Sequence, residues 1–312
     1  MKTKILITIL VGSLVISIVS AGLLAAKPDK PGKPDKEKPV PSTDVELVKK
    51  MTLKGPPPWA GGGKKKEGAA TGILGAPVSG SRYAIVVGIS DYPGDENDLV
   101  YPVVDAAEMA EVLIDVYGFG FDDVSLLTDG AATRAAILAA IEDIAEMAGS
   151  ADEVVFFFSG HGVKGLAQDW DKERVDEGIV VHDGTNITYI WDGELQAEFS
   201  GIGTSRIIFI FDTCLAGGMK KDLEEPGRVI AMATSENGTA VEGDAWGNGE
   251  FTYYLVDEGT LQGKANVHDY DGDGYIGQAE WVTVEEAFDY AKANCAYDRP
   301  TIGDDFDDDL LP

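Results

Sequence analysis

Cysteine and histidine are scarce in this sequence, which has two Cys and three His among 312 residues. The two cysteines, Cys214 and Cys295, can form one disulfide, the usual state of a cysteine pair in an exported protein. The context of Cys214 favours a reactive thiol instead, because this residue follows an apolar strand-like run and precedes a turn of small residues. Cys295 ends a helix-like run, and we then expect it to be a small apolar residue.

Positive charge is also scarce, with 25 Lys and Arg against 54 Asp and Glu and a net charge of −29. The excess acid lies in residues 81–312, which carry 12 basic and 48 acidic residues, whereas residues 1–80 carry 13 Lys and 6 acidic residues. Such an acidic body is expected to repel nucleic acid and anionic lipid and to attract cations and basic peptides. Solubility in a salty or calcium-rich medium is an alternative reason for the charge.

A phosphate-binding loop is missing as well. No glycine-rich turn of that kind follows the first strand-like run, residues 83–87, and Asp91 lies where a phosphate would bind. A nucleotide-binding α/β protein is therefore not supported. The sequence also has no internal repeat.

The first 80 residues contain an export signal and a linker. Lys2 and Lys4 precede an uncharged apolar run, residues 5–26, which ends in small residues of the kind that signal peptidases accept. This run is either a cleaved signal peptide or a membrane anchor, and both place the body outside the cytoplasmic membrane. Residues 27–80 are rich in Pro, Gly and Lys, and we expect a flexible basic spacer or a pro-segment cut near its lysine clusters, 49–50 and 64–66.

Strand-like and helix-like segments alternate from residue 81 onward. Short apolar runs at 83–87, 124–127, 153–158, 206–211 and 228–232 predict buried strands, and periodic segments at 104–117 and 132–147 predict helices between them. This alternation predicts an α/β domain over residues 81–312, with a mostly parallel central sheet and helices on both faces.

His161 and Cys214 each follow one of these buried strands, 53 positions apart. The carboxyl ends of parallel strands meet at one edge of a sheet, where ligands bind open α/β folds, so the imidazole and the thiol are expected to lie together. A thiol beside a base is the minimum for covalent acyl transfer, with Cys214 as nucleophile and His161 as general base and acid. The amides of Gly162 and Cys214 are the expected donors to the oxyanion.

The blocks at 82–90, 156–162 (FFFSGHG) and 209–214 (FIFDTC) resemble the caspase/metacaspase superfamily of cysteine peptidases, and the His-to-Cys spacing agrees with it. The resemblance is closer to metacaspases and prokaryotic caspase-like proteins than to animal caspases. It implies a caspase-like three-layer sandwich and a cysteine endopeptidase. Processing of this family implies that Lys220, Lys221 and the linker lysines are candidate self-cleavage sites.

The same resemblance implies a substrate pocket formed by Asp105, Ser159 and Asp212. A carboxylate at the floor of a pocket pairs with a basic side chain, so cleavage after Arg or Lys is expected, in protein or peptide substrates. One departure from the metacaspase pattern follows the nucleophile. Leu215-Ala216-Gly217 stands where metacaspases usually carry His-Ser-Gly.

Residues 269–280 fit the EF-hand calcium pattern, D-x-D-x-D-G-x5-E. The expected Ca²⁺ ligands are the side chains of Asp269, Asp271, Asp273 and Glu280 and the carbonyl of Tyr275. Glu280 is also expected to open a helix that runs to about Asn294. An unpaired extracellular loop of this kind binds weakly, with a dissociation constant of roughly 10⁻⁴–10⁻³ M.

Together these features predict an exported, calcium-binding cysteine endopeptidase that cleaves after basic residues. The competing interpretation is a non-catalytic, secreted or surface calcium-binding module that keeps the same fold for protein recognition. The two differ in whether the thiol reacts with an electrophilic peptide.

Overall fold

The computed structural model describes residues 45–54, 68–166 and 175–310. Its strands are β1 (Val45–Val48), β2 (Met51–Leu53), β3 (Arg82–Gly88), β4 (Val124–Thr128), β5 (Glu153–Ser159), β6 (Gly162–Gly165), β7 (Asp176–His182), β8 (Ile187–Trp191), β9 (Ile207–Asp212), β10 (Arg228–Met232), β11 (Val241–Gly243), β12 (Asn248–Gly249) and β13 (Thr301–Asp304). Its α-helices are α1 (Pro102–Glu111), α2 (Arg134–Met147), α3 (Asp192–Phe199), α4 (Lys220–Leu223), α5 (Glu250–Thr252) and α6 (Val284–Asn294).

Two of these helices continue as π-helical segments. Helix α1 runs on through Val112–Val116 and α5 through Tyr253–Leu261. Short 3₁₀ turns occupy Asp95–Asn97, Phe121–Asp123, Asp129–Ala131, Ala216–Gly218 and Ala279–Trp281.

A six-stranded sheet forms the centre of the fold, in the order β13-β10-β9-β5-β3-β4. The five strands from β10 to β4 are parallel to one another, and β13 adds to β10 in the antiparallel direction. Strands β5 and β9 are buried along their whole length, which explains their unbroken apolar sequences. The predicted α/β class with a mostly parallel sheet is confirmed.

Alternate residues of the central strands pack into two cores, one on each face of the sheet. On one face, Phe156 and Phe158 of β5 pack with apolar residues of α2, α3 and α4. On the other face, Val155 and Phe157 pack with α1, α6 and the π-helical segment after α5. Because successive strand residues point to opposite faces, one apolar run supplies both cores. The result is the three-layer arrangement that the sequence predicts.

Two smaller sheets lie beside the carboxyl edge of the central sheet, and residues 45–54 belong to both. Strand β1 pairs antiparallel with β6 in a four-stranded sheet of order β1-β6-β7-β8. Strand β2 pairs parallel with β11 in a three-stranded sheet of order β12-β11-β2. In both cases the segment is an edge strand that extends a sheet built by the body of the protein.

This placement differs from the expectation of a flexible spacer over residues 27–80. Where the structure describes that region, residues 45–53 form strands, and Thr71 and Gly72 donate hydrogen bonds to the buried carboxylate of Asp309. The β-compatible sequences VELV and MTL are short and lie in polar, proline-rich surroundings, so the sequence pattern did not predict these strands. The apolar run 5–26 lies outside the described residues. Among the helices that the structure does describe, none has the length and apolar character needed to cross a membrane.

Candidate active site

His161 and Cys214 lie at the carboxyl edge of the central sheet, as predicted. Strand β5 ends two residues before His161 and β9 ends two residues before Cys214. These strands are parallel neighbours, with Ser159 paired to Asp212 in register, so the loops that follow them emerge side by side. Gly162 packs directly on Cys214, since a Cβ there would collide with the Cys214 carbonyl oxygen.

The imidazole of His161 is held in one orientation by the loop after β3. Its Nε2 lies 2.8 Å from the carbonyl oxygen of Asn97, and its ring stacks on Tyr92 with the centroids 4.9 Å apart. Nδ1 accepts a hydrogen bond of 3.0 Å from the backbone N–H of Lys50. An imidazole that accepts at Nδ1 carries its proton on Nε2, where Asn97 receives it. Nδ1 therefore carries the free lone pair of the ring, and the Lys50 N–H occupies that lone pair in this structure.

The thiol of Cys214 is buried and neutral. Its Sγ accepts a hydrogen bond of 3.2 Å from the backbone N–H of Ala240, and burial raises the pKa of the thiol to about 12 despite that donor. Burial, with the charges of Lys49 and Lys50, lowers the pKa of His161 to about 4. Leu215 follows in the left-handed region at φ 63°, a strained conformation for a residue with a side chain.

The three residues expected to form the substrate pocket lie together beneath this pair. Asp105, near the start of α1, accepts a hydrogen bond of 2.6 Å from Ser159 Oγ and one of 3.0 Å from Gly249 N–H. Asp212 Oδ2 accepts hydrogen bonds from the amide and hydroxyl of Thr252, at 3.1 and 2.6 Å. Both carboxylates are completely buried, so they require a compensating cation.

Lys50 supplies that cation. Its Nζ lies 2.6 Å from Asp212 Oδ1 and 3.7 Å from Asp105 Oδ2, with Ser159 Oγ at 3.2 Å and the Asp212 carbonyl oxygen at 3.3 Å. Burial alone would lower the pKa of Lys50, but the charges of Asp212 and Asp105 outweigh it and raise the pKa above its usual value. Burial raises the pKa of Asp105 to about 6, against the opposing charge of Lys50.

The backbone packs closely around the Lys50 ammonium. Gly249 packs so closely on Asp212 and the Lys50 ammonium that a Cβ there would occupy their space. Asp298 and Glu250 are two further buried acids near Asp212, and burial, together with the charge of Asp212, raises the pKa of Asp298. The acidic groups of the pocket are therefore packed around the Lys50 ammonium, with no space for a side chain at Gly249.

Sequence reasoning missed the role of Lys50 and did not point to Tyr92, Asn97, Ala240, Gly249 or Thr252. Asn97 and Ala240 act through backbone atoms, so their side chains carry no signal. Tyr92 lies in a polar loop that resembles many others. The sequence shows a basic cluster at Lys49 and Lys50. The role of Lys50 depends on the pairing of β1 with β6 and of β2 with β11, which no local pattern predicts.

The predicted calcium loop gathers three of its carboxylates. Asp269, Asp271 and Asp273 each offer an oxygen within a cluster narrow enough for one ion, and all three are exposed. Their carboxylates also accept backbone N–H bonds within the loop, for example from Gly272 to Asp269 at 2.9 Å. Gly274 has φ 86°, as the sharp turn of such a loop requires.

Glu280 does not join this cluster, and the prediction that it opens a helix is wrong. It lies in the exposed 3₁₀ turn Ala279–Trp281, and α6 begins at Val284, after Thr283. Thr283 and Glu286 form a capping box, a stronger start signal than a lone glutamate. Three of the expected ligands therefore come together, and the bidentate position of the pattern is unfilled.

Comparison with known proteins agrees with this geometry. The family model described as "Caspase domain" matches residues 81–271. Metacaspase-4 of Arabidopsis thaliana is 31% identical over 153 residues, covering 46% of this chain and 36% of that protein. Metacaspase-9 of the same plant is 32% identical over 157 residues, covering 47% of each chain. This chain thus spans less than half the length of these two relatives.

The same fold is found among solved structures. Protein GSU0716 from Geobacter sulfurreducens superposes with a TM-score of 0.52 at 19% identity, covering 72% of this chain and 93% of that one. The family match, which covers more than half of the chain, shows that this protein belongs to the caspase-domain family. Within that family it is a distant relative of the metacaspases.

The raised pKa of Cys214 predicts slow alkylation of the full-length protein near neutral pH. Because the thiolate is the reactive form, the rate of modification by iodoacetamide should rise about tenfold per pH unit between pH 7 and 10. Mass spectrometry of the labelled peptide measures this rate, and Cys214→Ala separates it from labelling of Cys295. A rate that levels off below pH 9 would contradict the buried, neutral thiol.

Proposed function

We propose that this protein is a cysteine endopeptidase that cleaves after Arg or Lys, with Cys214 as nucleophile and His161 as general base and acid. One observation carries the proposal. The ammonium of Lys50 lies in a buried pocket against Asp212 and Asp105, directly beside the loops that carry Cys214 and His161. A pocket that holds a lysine of its own chain by two carboxylates has the chemistry to hold a basic side chain of a substrate.

The residues divide the reaction between them. His161 Nδ1 takes the proton of the Cys214 thiol, and the sulfur attacks the carbonyl carbon of the bond that follows the basic residue. When the tetrahedral intermediate collapses, the C–N bond breaks and the imidazolium gives its proton to the departing amine. Water, deprotonated by the same imidazole, then hydrolyses the thioester and restores the thiol.

Two further groups stabilise this sequence of steps. The Asn97 carbonyl accepts a hydrogen bond from Nε2–H and so favours the tautomer in which Nδ1 can take the thiol proton. We assign the amides of Gly162 and Cys214 to the oxyanion of the intermediate, because Gly162 packs against Cys214 with no side chain between them.

The pocket is tested by hydrolysis of matched fluorogenic peptides that end in Arg, Lys or Asp. The assay uses the full chain with Lys50→Gln, so that no ammonium of the protein fills the pocket. We expect turnover of the Arg and Lys peptides and none of the Asp peptide. Asp212→Asn in this background should lower kcat/KM for Arg peptides by about 10- to 100-fold, the effect of losing a charged hydrogen-bond partner.

Two controls make the result specific. Cys214→Ala should abolish all turnover, and Asp307→Asn, which removes an exposed carboxylate outside the pocket, should leave it unchanged. Hydrolysis of the Asp peptide at a similar rate would contradict the basic specificity. Absence of turnover for every peptide would instead favour the non-catalytic recognition module.

We also propose that residues 269–275 bind one Ca²⁺ ion through Asp269, Asp271, Asp273 and the Tyr275 carbonyl. The support is the convergence of the three aspartates around turns at Gly272 and Gly274. The ion would stabilise the loop that leads into α6, which packs on the central sheet. Glu280 would reach it only if the turn at 279–281 rearranged.

Calcium binding should raise thermal stability. With a dissociation constant of roughly 10⁻⁴–10⁻³ M, 10 mM Ca²⁺ stabilises the folded state by about 1 to 3 kcal/mol. Differential scanning calorimetry with Ca²⁺ or EDTA measures the shift, which Asp271→Asn with Asp273→Asn should remove. Asp305→Asn with Asp307→Asn, an equal loss of exposed charge, should keep it. An identical shift in both double variants would show nonspecific screening and contradict the site.

We further propose that the protein is exported, on the evidence of the apolar run 5–26 behind Lys2 and Lys4. Fractionation of a bacterial host, with and without residues 5–26, tests this. The complete chain should leave the cytoplasm and the shortened chain should remain there. Retention of both in the cytoplasm would contradict export.

A further inference from the structure

The hydrogen bonds around Lys50 do not suit cleavage of the peptide bond that follows it, because they bring the wrong backbone nitrogen to His161. The bond to be cut after Lys50 is Lys50–Met51, and its departing nitrogen is Met51 N. That nitrogen must face the base, which donates the proton to it. In the structure Met51 N–H donates instead to the Ala240 carbonyl, at 3.0 Å. The nitrogen that faces His161 Nδ1 is that of Lys50 itself.

The strand pairing gives the same chain direction. Residues after Lys50 run parallel to β11, with Met51 paired to Val241 and Leu53 to Gly243. Residues before Lys50 run antiparallel to β6, with Val48 paired to Gly162. A peptide that keeps its basic side chain in the pocket but presents its departing nitrogen to His161 must run the opposite way along β11. Such a peptide would pair with β11 in the antiparallel direction.

From these contacts we propose that residues 45–54 are a built-in inhibitor that binds the substrate groove in reverse, so that Lys50 fills the pocket while the Lys50–Met51 bond escapes cleavage. This inference rests on the proposed peptidase function and adds its regulation. It also removes Lys50 from the candidate self-cleavage sites among the linker lysines, because the Lys50–Met51 bond is not cut while the segment is bound in reverse.

The segment blocks the site at three points at once. The Lys50 ammonium neutralises Asp212 and Asp105, which would otherwise be buried without a compensating cation. The Lys50 amide occupies the lone pair that His161 needs to take a proton. Strands β1 and β2 cover the edges of two sheets that would otherwise be open to a peptide.

Reverse binding has a consequence for activation. An inhibitor that is cut at its pocket residue releases itself, whereas a reversed one stays bound until it is displaced or cut elsewhere. The segment lies between residues 1–44 and 55–67, which contain lysines at many positions. Cleavage there by another molecule, followed by departure of the segment, is the route to the active form.

Neighbouring lysines provide a matched test in the full-length chain. Lys50→Gln removes the ammonium from the pocket, whereas Lys49→Gln removes an equal charge that also acts on His161 but lies outside the pocket, bonded to the Glu96 carbonyl on the surface. We expect Lys50→Gln to raise the initial rate on an Arg peptide at least tenfold over wild type, and Lys49→Gln to stay within twofold. Met51→Pro, which deletes the N–H bonded to Ala240, should also raise the rate.

Intact-mass measurement and N-terminal sequencing of the wild-type chain, over a day of incubation, test the direction of binding. We expect no fragment that begins at Met51. Such a fragment would overturn reverse binding, because it requires the productive orientation. Equal and substantial rates in wild type and Lys50→Gln would overturn inhibition while leaving the peptidase intact.

Labelling of Cys214 by iodoacetamide keeps the two hypotheses distinguishable. If no variant hydrolyses any peptide, the peptidase assignment fails. The labelling rate still measures how far residues 45–54 shield Cys214 from the reagent. Faster labelling in Lys50→Gln than in Lys49→Gln supports the shielding of Cys214 by residues 45–54. Equal labelling in the two variants overturns it.

Discussion

The ion pair between Lys50 and the buried carboxylates of Asp212 and Asp105 is the interaction on which the rest of the site depends. Two carboxylates with no exposure to water cannot both remain charged without a cation between them. The pocket is therefore built around a positive charge, which Lys50 supplies in this structure. Gly249, Ser159 and Thr252 are arranged to fit that charge and to hold the acids in place.

The central sheet makes this arrangement possible. Adjacent parallel strands β5 and β9 deliver Ser159 and Asp212 in register, and the loops that follow carry His161 and Cys214. Helix α1 adds Asp105 from the layer packed on the sheet. Strands β5 and β9 therefore bring two of the three pocket residues next to the loops of His161 and Cys214, and α1 supplies the third. Residues 45–54 pair with the edge strands β6 and β11 beside this site, in the direction opposite to the one proposed for a substrate.

The sequence predicts well whatever depends on local periodicity or on strand ends. The buried strands, the capped helix α2 and the juxtaposition of His161 with Cys214 follow from apolar runs and from the geometry of parallel sheets. The start of α6 was mistaken because the calcium pattern points to Glu280, while the capping box at Thr283 governs the helix. The position of Lys50 in the pocket could not be predicted for a different reason. Its place depends on pairing with β6 and β11, more than 100 residues away in the chain.

The central claim, that a basic side chain enters this pocket beside a reactive thiol, is tested most directly by two peptidyl electrophiles that differ in their last residue. Full-length Lys50→Gln is treated with an Arg reagent or an Asp reagent, and intact mass gives the rate of addition to Cys214. The account predicts a single addition from the Arg reagent, much faster than from the Asp reagent, and loss of that preference in Asp212→Asn. Equal rates for the two reagents in Lys50→Gln, or faster addition of the Asp reagent, would contradict it.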